Sequence, residues 1–511
     1  MTEPVTEPLT EQPRVRRNEW RALAPPALGA WTPTLPLTVV VPAYDADRLL
    51  PVVLAGLAAQ TYPAHLLEVV VVDDGPGPDP LVLPEVRPEH TRVVRPAGGW
   101  GRANACHTGA LAAEGTVLHW YDADMLAERH QVEAQARWHH LLDHAVVLGD
   151  KWFVDPGPAL ALTPEEVRDA VAADRLGAVF AGAHHEPHRW VEEVHGRTDR
   201  LHLAGWNALR THTGATASVR RDLYLASGGM DTGLRLGEDI ALGARLAHVG
   251  AVFVPDAEAR SRHLGATHVM GRRDRVNAHN DPFLADRAPT LRAKRHPGRT
   301  YATPYLEVVL DTRGHDPALV VACVDSALAG HLHDVAVTLL GDWSTLHPDR
   351  TDVLADDGWT ARVVHATYAA EPRVTLAGPH DHDPAAPSRA AFRMTLPGPT
   401  FAPRRPALQR LLLHLEHTHD GLRLVDLPDG TVVRVERTAA VARARRTQRP
   451  GEDLDTVLAE VAGVERLPHR QAGFGPSEKV RPRHVPRTGG PPVGSEDAWA
   501  RIDAALQARG G

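Results

Sequence analysis

Residues 116–124 read Thr-Val-Leu-His-Trp-Tyr-Asp-Ala-Asp, a mostly apolar run that stops at two carboxylates one residue apart. The density of Val, Leu, Trp and Tyr favours a buried strand. A strand that ends at Asp122 and Asp124 sets both acids at its carboxyl end, where open α/β sheets bind their ligands. Such oxygen donors suit Mg²⁺ or Mn²⁺, which bind through one or two carboxylates together with substrate phosphates. An isolated Asp-x-Asp is also an ordinary strand-end turn, so the surrounding chain decides between the two.

The chain before this stretch predicts a βαβ unit. A β-branched run over residues 37–41 ends at Pro42, and proline cannot continue a central strand. Apolar residues at helical spacing predict a helix from about residue 47 to 60. A near-continuous apolar run over residues 67–72 predicts a parallel strand that is covered on both faces. Because each strand ends in polar or turn residues, ligand contacts should gather along one edge of the sheet.

A glycine-rich loop, residues 98–101, precedes Arg102. Its glycines permit close approach of the backbone to a ligand, and the guanidinium of Arg102 can pair with a phosphate through two hydrogen bonds. A glycine-rich loop is also typical of a simple turn. The loop supports a ligand site only through its position between the βαβ unit and the Asp-x-Asp.

Downstream, the sequence Gly237-Glu238-Asp239 opens a predicted helix that Gly250 terminates. Glu238 and Asp239 fall in the first turn, where the helix dipole favours an ionised carboxylate. Acids at this position are also common helix caps. Two further motifs lie between Asp124 and this helix, at residues 214–221 and 228–231.

In this order and spacing the motifs resemble the family 2 glycosyltransferases of GT-A fold, over roughly residues 35–270. The resemblance implies an α/β fold with an open mixed sheet flanked by helices. It places Pro42, Ala43, Tyr44 and Asp74 in a nucleoside pocket, with Asp74 accepting from the uracil ring, and puts Arg102 on the phosphates. It implies that Asp122 and Asp124 bind the ribose and, through a metal, the diphosphate. Asp239 would be the catalytic base with Glu238 beside it, and His263 a further metal ligand.

The resemblance implies an inverting, metal-dependent glycosyltransferase of the hexosyltransferase type. Its donor would be a nucleotide-sugar, a UDP-sugar by preference, and its acceptor an unidentified hydroxyl. Two alternatives stay open. One is a catalytically silent relative that binds nucleotide or glycan. The other is a sugar-nucleotide nucleotidyltransferase, which predicts a glycine-rich loop with a basic residue near the first strand, where this chain has Pro42-Ala43-Tyr44-Asp45.

A second strand-helix-strand pattern, residues 305–343, repeats the arrangement of residues 37–74 almost in register. We expect a degenerate second GT-A-like half that is smaller than the first and lacks counterparts of Tyr44 and Asp74. The predicted domain division is a disordered N-terminal arm (1–30), a GT-A domain (31–300), a degenerate GT-A-like α/β domain (301–466) and a mostly disordered C-terminal tail (467–511).

Composition excludes several classes of protein. The formal charge of −8 over 511 residues argues against a nucleic-acid binder. Two cysteines cannot build a disulfide framework, and the absence of an 18-residue apolar run and of an apolar leader predicts a cytoplasmic protein without a transmembrane segment. The arginine-rich helix predicted at about residues 438–446 could present a basic face to an anionic acceptor, a partner or a membrane surface. Scattered histidines, including His184, His185 and His188, give no clear metal spacing.

Overall fold

The computed structural model describes residues 12–77, 79, 81–267, 270–346, 352–355 and 357–479. Its two large sheets divide the chain into a first half, residues 12–300, and a second half, residues 301–479. No helix among these residues is both long and apolar enough to span a bilayer.

The first half is built on a nine-stranded sheet. Its strands are β1 (Leu37–Ala43), β2 (Leu67–Asp73), β3 (His90–Val94), β4 (Val117–Trp120), β5 (Met125–Ala127), β6 (Ala145–Val154), β7 (His185–Pro187), β8 (Ala217–Arg220) and β9 (Val252–Leu264). Its helices are α1 (Leu50–Ala58), α2 (Arg102–Ala112), α3 (Gln131–His139), α4 (Gly157–Leu160), α5 (Pro164–Ala172), α6 (Leu176–Val179), α7 (Arg189–Arg197), α8 (Arg221–Ala226), α9 (Glu238–His248) and α10 (Arg273–Arg287).

The second half is built on a seven-stranded sheet and a two-stranded one. Its strands are β10 (Leu306–Asp311), β11 (Val335–Leu340), β12 (Val374–Ala377), β13 (Phe392–Leu396), β14 (Phe401–Pro403), β15 (Leu422–Asp426), β16 (Val432–Arg437), β17 (Val464–Pro468) and β18 (Phe474–Pro476). Its helices are α11 (Pro317–Leu328), α12 (Trp359–Tyr368), α13 (Ala407–Thr418), α14 (Thr438–Thr447), α15 (Leu454–Val461) and α16 (His469–Ala472).

The first sheet runs in the order β3-β2-β1-β4-β8-β6-β9-β5, with β7 beside β6. β1 pairs in parallel with β2 and β4, whereas β8 is antiparallel to both β4 and β6. Apolar runs in β1 and β2 are buried because helices cover both faces of the sheet. The predicted fold class, an open mixed α/β sheet with a second α/β unit, is confirmed.

The second sheet repeats the first strand for strand. Its order, β12-β11-β10-β13-β16-β15-β17, matches β3-β2-β1-β4-β8-β6-β9, and each pair keeps its parallel or antiparallel sense. The small β14–β18 pair likewise repeats the antiparallel β5–β9 pair. The second half is therefore a topological copy of the first.

The pairing registers align the two halves residue by residue. Starting from Leu37 and Leu306, the first residues of β1 and β10, the ladders match Val117 with Phe392, Arg220 with Arg437 and Val146 with Leu422. Continued along β4 and β13, this alignment sets Asp122-Ala123-Asp124 against Pro397-Gly398-Pro399. Continued along β6 and β15, it sets Lys151 against Leu427.

Both predicted disordered ends contain ordered residues. Of the arm assigned to residues 1–30, residues 12–30 are described, and Val15 and Asn18 are buried. The side chain of Asn18 donates to the carbonyls of Leu201 and Phe253, which satisfies a polar group that composition alone would place in solvent. Of the tail assigned to residues 467–511, residues 467–479 pack on the second half through Phe474. Residues 1–11 and 480–511 lie outside the described residues, and the remaining domain boundaries stay predictions.

The arginine-rich helix predicted near residues 438–446 forms, but it faces inward. In α14, Arg443 is buried and donates to the carbonyls of Gly250 and Ala251, and Arg446 donates to the carbonyl of Val249. These carbonyls follow α9, so two of the arginines join the halves.

Candidate active site

A cavity of about 850 Å³ opens at the carboxyl edge of the first sheet. It lies beyond the ends of β1, β2 and β4, because these parallel strands all point to that edge. The cavity brings together seven of the residues proposed from the sequence: Pro42, Ala43, Tyr44, Asp74, Arg102, Asp122 and Asp124.

Two adjacent aspartates at the end of β2 have different roles. Burial raises the pKa of Asp73, but hydrogen bonds from Arg95 and from the backbone of Leu81 and Gly75 outweigh it, and the pKa falls below its usual value. Asp73 therefore holds the following loop. Asp74 lines the cavity and accepts from the backbone N–H of Gly101 at 2.9 Å, and burial raises its pKa. Sequence reasoning selected Asp74 and missed Asp73 and Arg95.

Two exposed aromatic side chains stand at the rim of this cavity. Tyr44 is 66% exposed and Trp100 is 63% exposed, and both lie among the cavity-lining residues. The guanidinium of Arg235 lies 4.4 Å from the centre of the Trp100 ring, within cation–π range. The rim thus offers flat apolar faces where a base or ribose can pack.

Arg102 begins α2, directly after Gly101, whose φ is +93°. Its Nε lies 2.9 Å from Oδ1 of Asp122, and its Nη1 lies 3.1 Å from Oε1 of Glu238. A Cβ on Gly214 would come within 2.8 Å of this guanidinium, so Gly214 leaves the room that Arg102 needs. Arg102 is therefore the link between the Asp-x-Asp and the start of α9.

Asp124 and His263 face each other with unfilled lone pairs. The Nδ1 of His263 donates to the carbonyl of Gly265 at 2.9 Å, which leaves Nε2 as an acceptor when the ring is neutral. That Nε2 lies 3.6 Å from Oδ2 of Asp124. Burial raises the pKa of Asp124 and lowers that of His263, and Oδ1 of Asp124 is buried without a hydrogen-bond donor from the described chain. Two acceptors left facing each other fit a cation between them.

The two acids at the start of α9 differ in exposure. Gly237, with φ +79°, turns the chain into the helix, and Glu238 is 6% exposed. Burial raises the pKa of Glu238. Asp239 keeps partial exposure, and its Oδ2 accepts weakly from the backbone N–H of Gly214 at 3.4 Å. The Nδ1 of His212 bonds to the backbone carbonyl of Asp239 at 2.7 Å, which fixes that turn. Asp239 is thus the accessible carboxylate of the pair.

Lys151 is a residue of this region that the sequence analysis missed. It lies in β6, is 8% exposed, and its Nζ donates to the Thr213 hydroxyl at 3.2 Å. Burial lowers its pKa, while the negative charges of Asp122 and Asp239 act in the opposite direction. Its rarity was a usable signal, because the whole sequence contains three lysines.

The histidines near residue 185 differ in exposure and contacts. His184 and His185 are exposed, and His188 packs edge-on against Phe153 and Trp190. Over the described parts of the chain, no group of three His, Cys, Asp or Glu side chains is already arranged to hold a metal ion. The Asp124–His263 pair would need at least one more ligand, from Asp122, substrate or water.

Comparison with known proteins places the site in a family context. Residues 38–212 match the family described as glycosyl transferase family 2. The match includes every cavity-lining residue named from the sequence and ends before Asp239 and His263. A comparison with curated proteins finds no match.

Three solved structures, of two proteins, match part of the chain at low sequence identity. The mannosyltransferase PcManGT from Pyrobaculum calidifontis, solved with GDP-Man and Mn²⁺, is 18% identical, with a TM-score of 0.33 over 54% of this chain and 71% of its own. TarS from S. aureus is 15% identical, with a TM-score of 0.31 over 48% of this chain and 39% of its own. A TarS fragment, residues 1–349 with UDP-GlcNAc, is 16% identical, with a TM-score of 0.32 over 46% of this chain and 60% of its own.

Proposed function

We propose that this chain, whose residues 38–212 match glycosyl transferase family 2, transfers a sugar from a nucleotide-sugar donor to an acceptor hydroxyl with inversion. The observation that carries the proposal is the convergence of Asp74, Arg102, Asp122 and Asp124 on one cavity, with Asp239 joined to them through Glu238 and Arg102. A protein that only binds a nucleotide needs no more than the cavity. The accessible carboxylate of Asp239 is needed by an enzyme, because it can take a proton from the acceptor.

The donor proposed is a UDP-sugar. One oxygen of Asp74 accepts from Gly101, and its second oxygen can accept from the imide N–H of uracil. Tyr44 and Trp100 supply flat faces at the same rim. Arg102 begins a helix, so the helix N-terminus and the guanidinium together favour the negative charge of a diphosphate.

A divalent cation, Mn²⁺ or Mg²⁺, fits the residues present. Asp124 and His263 would hold it through Oδ1 or Oδ2 and Nε2, and Asp122 lies on the adjacent strand end. Carboxylate oxygen with imidazole nitrogen is a donor set that Mn²⁺ accepts readily, whereas Mg²⁺ prefers oxygen alone. When bound, the ion would neutralise charge on the departing diphosphate.

The reaction assigned to these residues is a single displacement. The acceptor oxygen forms a bond to the anomeric carbon as the bond from that carbon to the diphosphate oxygen breaks, and the bonding electron pair leaves with the diphosphate. Asp239 takes the acceptor proton. Attack opposite to the leaving group inverts the anomeric centre. Arg102 stays protonated throughout and binds the phosphate charge.

A donor screen tests the function. Purified protein is heated with Mn²⁺ and each of UDP, GDP, ADP and dTDP, since a ligand that binds the native state raises the unfolding temperature. We expect UDP to give the largest shift, and the UDP-sugars to release UDP when acceptors are supplied. A larger shift with another nucleotide would reassign the base. Binding of UDP without release from any donor and acceptor would favour the catalytically silent alternative.

Asp124→Ala tests the metal assignment. The variant should lose the increase in UDP affinity that Mn²⁺ gives, measured by calorimetry with and without the ion. The matched control is Asp381→Ala, which alters the exposed Asp381-His382-Asp383 loop of the second half. Unchanged Mn²⁺ dependence in Asp124→Ala would rule out this ligand.

A further inference from the structure

We infer that Lys151 binds the diphosphate of the nucleotide-sugar donor, where its ammonium stabilises the charge that the leaving group gains. The inference rests on the proposed function and adds to it a phosphate ligand contributed by β6. It assigns the substrate contact to a buried lysine on a strand of the sheet, whereas Arg102 begins a helix.

The position of Lys151 carries the first step. Its ammonium contacts the hydroxyl of Thr213 at 3.2 Å, in the segment that also holds Asp239 through His212 and Gly214. The charges of Asp122, Asp239 and Asp124 all act on it. The ammonium is therefore close enough to interact electrostatically with the residues proposed for the leaving group and with the residue proposed for the base.

The backbone before Lys151 is fixed closely. Gly149 precedes it by two residues, and a Cβ there would meet the carbonyl of Ala259 at 2.8 Å and the side-chain amide of Gln135 at 2.9 Å. The pairing of β6 with β9 changes register between Gly149 and Asp150, so β9 carries a bulge at this point. Bulges redirect the side chains beside them and are common near active sites. The strand is thus shaped where it delivers Lys151.

The hydrogen bonds of the two nearby cations differ. Arg102 is already paired with Asp122 and Glu238. The ammonium of Lys151 has three N–H donors, and among the described residues it gives one hydrogen bond, to the neutral hydroxyl of Thr213. Its other donors can therefore bind the oxygens of an incoming phosphate.

The choice of lysine is itself informative. The sequence has 56 basic Lys and Arg residues, and only three of them are lysine: Lys151, Lys294 and Lys479. A chain that uses arginine almost everywhere keeps a lysine at a buried site position. An ammonium is a compact point charge with three donors, which fits a narrow space beside a phosphate, whereas guanidinium needs a wide planar slot.

The second half supplies an internal comparison. Its pairing register, extended a few residues beyond the paired ones, puts Leu427 at the place of Lys151 and Pro397-Gly398-Pro399 at the place of the Asp-x-Asp. The buried lysine and the two carboxylates are therefore present together in one half and absent together from the other. A lysine that served only the fold would not need to follow the carboxylates.

Lys151→Met is the test, with Lys294→Met as the matched control, because Lys294 pairs with Asp281 outside the cavity. Affinities for UDP and for uridine are measured by calorimetry with Mn²⁺ present. We expect Lys151→Met to weaken UDP binding at least tenfold and leave uridine binding unchanged, and to lower kcat about tenfold or more. Lys294→Met should match the wild type in all three.

Other outcomes overturn the inference. If Lys151→Met leaves the ratio of UDP affinity to uridine affinity unchanged, Lys151 only supports the fold. Wild-type protein that binds no nucleoside diphosphate would instead refute the proposed function. If Lys151→Met does not fold, amine methylation of the wild type decides: UDP should slow modification of Lys151 and leave Lys294 unaffected, and equal rates with and without UDP would exclude the contact.

Discussion

The two halves start equivalent helices with the same three residues, and they use them differently. Gly237-Glu238-Asp239 opens α9, and Gly451-Glu452-Asp453 precedes α15, with glycine φ angles of +79° and +83°. In the first half Glu238 binds Arg102 and Asp239 stays partly exposed. In the second half Glu452 binds Arg14, and Asp453 caps its own helix through the N–H of Thr456 at 2.9 Å.

The difference shows what a pair of acids at a helix start needs before it can act in catalysis. Between β6 and β8 the first half inserts residues 155–216, whereas β15 and β16 are joined by residues 427–431 alone. The second half also has no Asp-x-Asp and no lysine at the positions equivalent to residues 122–124 and 151. Without phosphate ligands nearby, the same carboxylates become a cap and an anchor. The motif therefore gains its proposed role from its surroundings.

The largest effect is expected from Asp239→Asn, which removes the proposed base at nearly constant shape. Transfer should fall by about 10²–10⁴-fold, the range for loss of general-base catalysis, while UDP binding stays close to wild type. Steady-state turnover and calorimetry measure the two quantities. The paired control, Asp453→Asn, changes the equivalent residue and should turn over normally. Turnover of Asp239→Asn within a fewfold of wild type would exclude it as the base.

Arg443→Met tests how the halves are held together. The buried guanidinium donates to the carbonyls of Val15, Gly250 and Ala251 and lies 4.7 Å from the Trp206 ring. Burial lowers its pKa to about 9. Leaving those carbonyls unsatisfied should lower the free energy of unfolding by about 3 kcal/mol. Denaturant unfolding measures this, and Arg445→Met, a neighbour on the same helix, should change it little. If Arg443→Met and Arg445→Met lower the free energy of unfolding equally, Arg443 is not a specific link between the halves.

Acid should loosen the first half before the second. The buried histidines, His119 among them, all lie in the first half, and the described second half has none. Burial lowers the pKa of His119 to about 4. Since the unfolded value is about 6.5, the unfolded chain binds more protons below that pH, and stability is lost from pH 6.5 down to about 4.

At pH 5 the lowered pKa of His119 reduces the free energy of unfolding by about 2 kcal/mol. Hydrogen exchange at pH 7 and pH 5, corrected for intrinsic rates, should show protection lost in β4, β6 and β8 more than in β10 and β11. Parallel loss in both sheets would mean that buried histidines do not control the acid response.

The smallest effect is expected from Asp453→Ala. Loss of an N-cap costs about 1 kcal/mol, so the unfolding midpoint should fall slightly while turnover is unchanged. Asp316→Ala, which removes the cap of α11, provides a matched control of similar size. A loss of turnover in Asp453→Ala alone would mean that the second half contributes to the chemistry.

Much of the first sheet could be predicted because buried strands reveal themselves as apolar runs. The positions of β1, β2 and the Asp-x-Asp follow from local pattern, and parallel strand ends bring Asp74 and Asp122 to one edge. Apart from α5, residues 155–216 could not be predicted in the same way, since they form short helices and loops without a long apolar run. Lys151 was missed because its burial depends on Thr213 and on β9, which are distant in sequence.

The second half shows a different limit. Its repeat of strand, helix and strand could be predicted. The recurrence of Gly-Glu-Asp at residue 451 was not connected with residue 237, because the strand equivalent to β4 does not end in an Asp-x-Asp. The ordered N-terminal segment was also missed. Its Pro-, Arg- and Glu-rich composition is typical of solvent-exposed chain, and only long-range partners such as Glu452 and Leu201 make it a buried one.

The N-terminal segment has a consequence for the order in which the chain assembles during synthesis. Residues 14–18 leave the ribosome long before their partners are made. Arg14 pairs with Glu452, the N–H of Arg17 donates to the carbonyl of Val461, and the carbonyl of Val15 accepts from Arg443. Domains generally fold as they emerge, so the first sheet can form long before this segment finds its place. A stretch made late in synthesis, residues 443–461, thus holds one made early, residues 14–18.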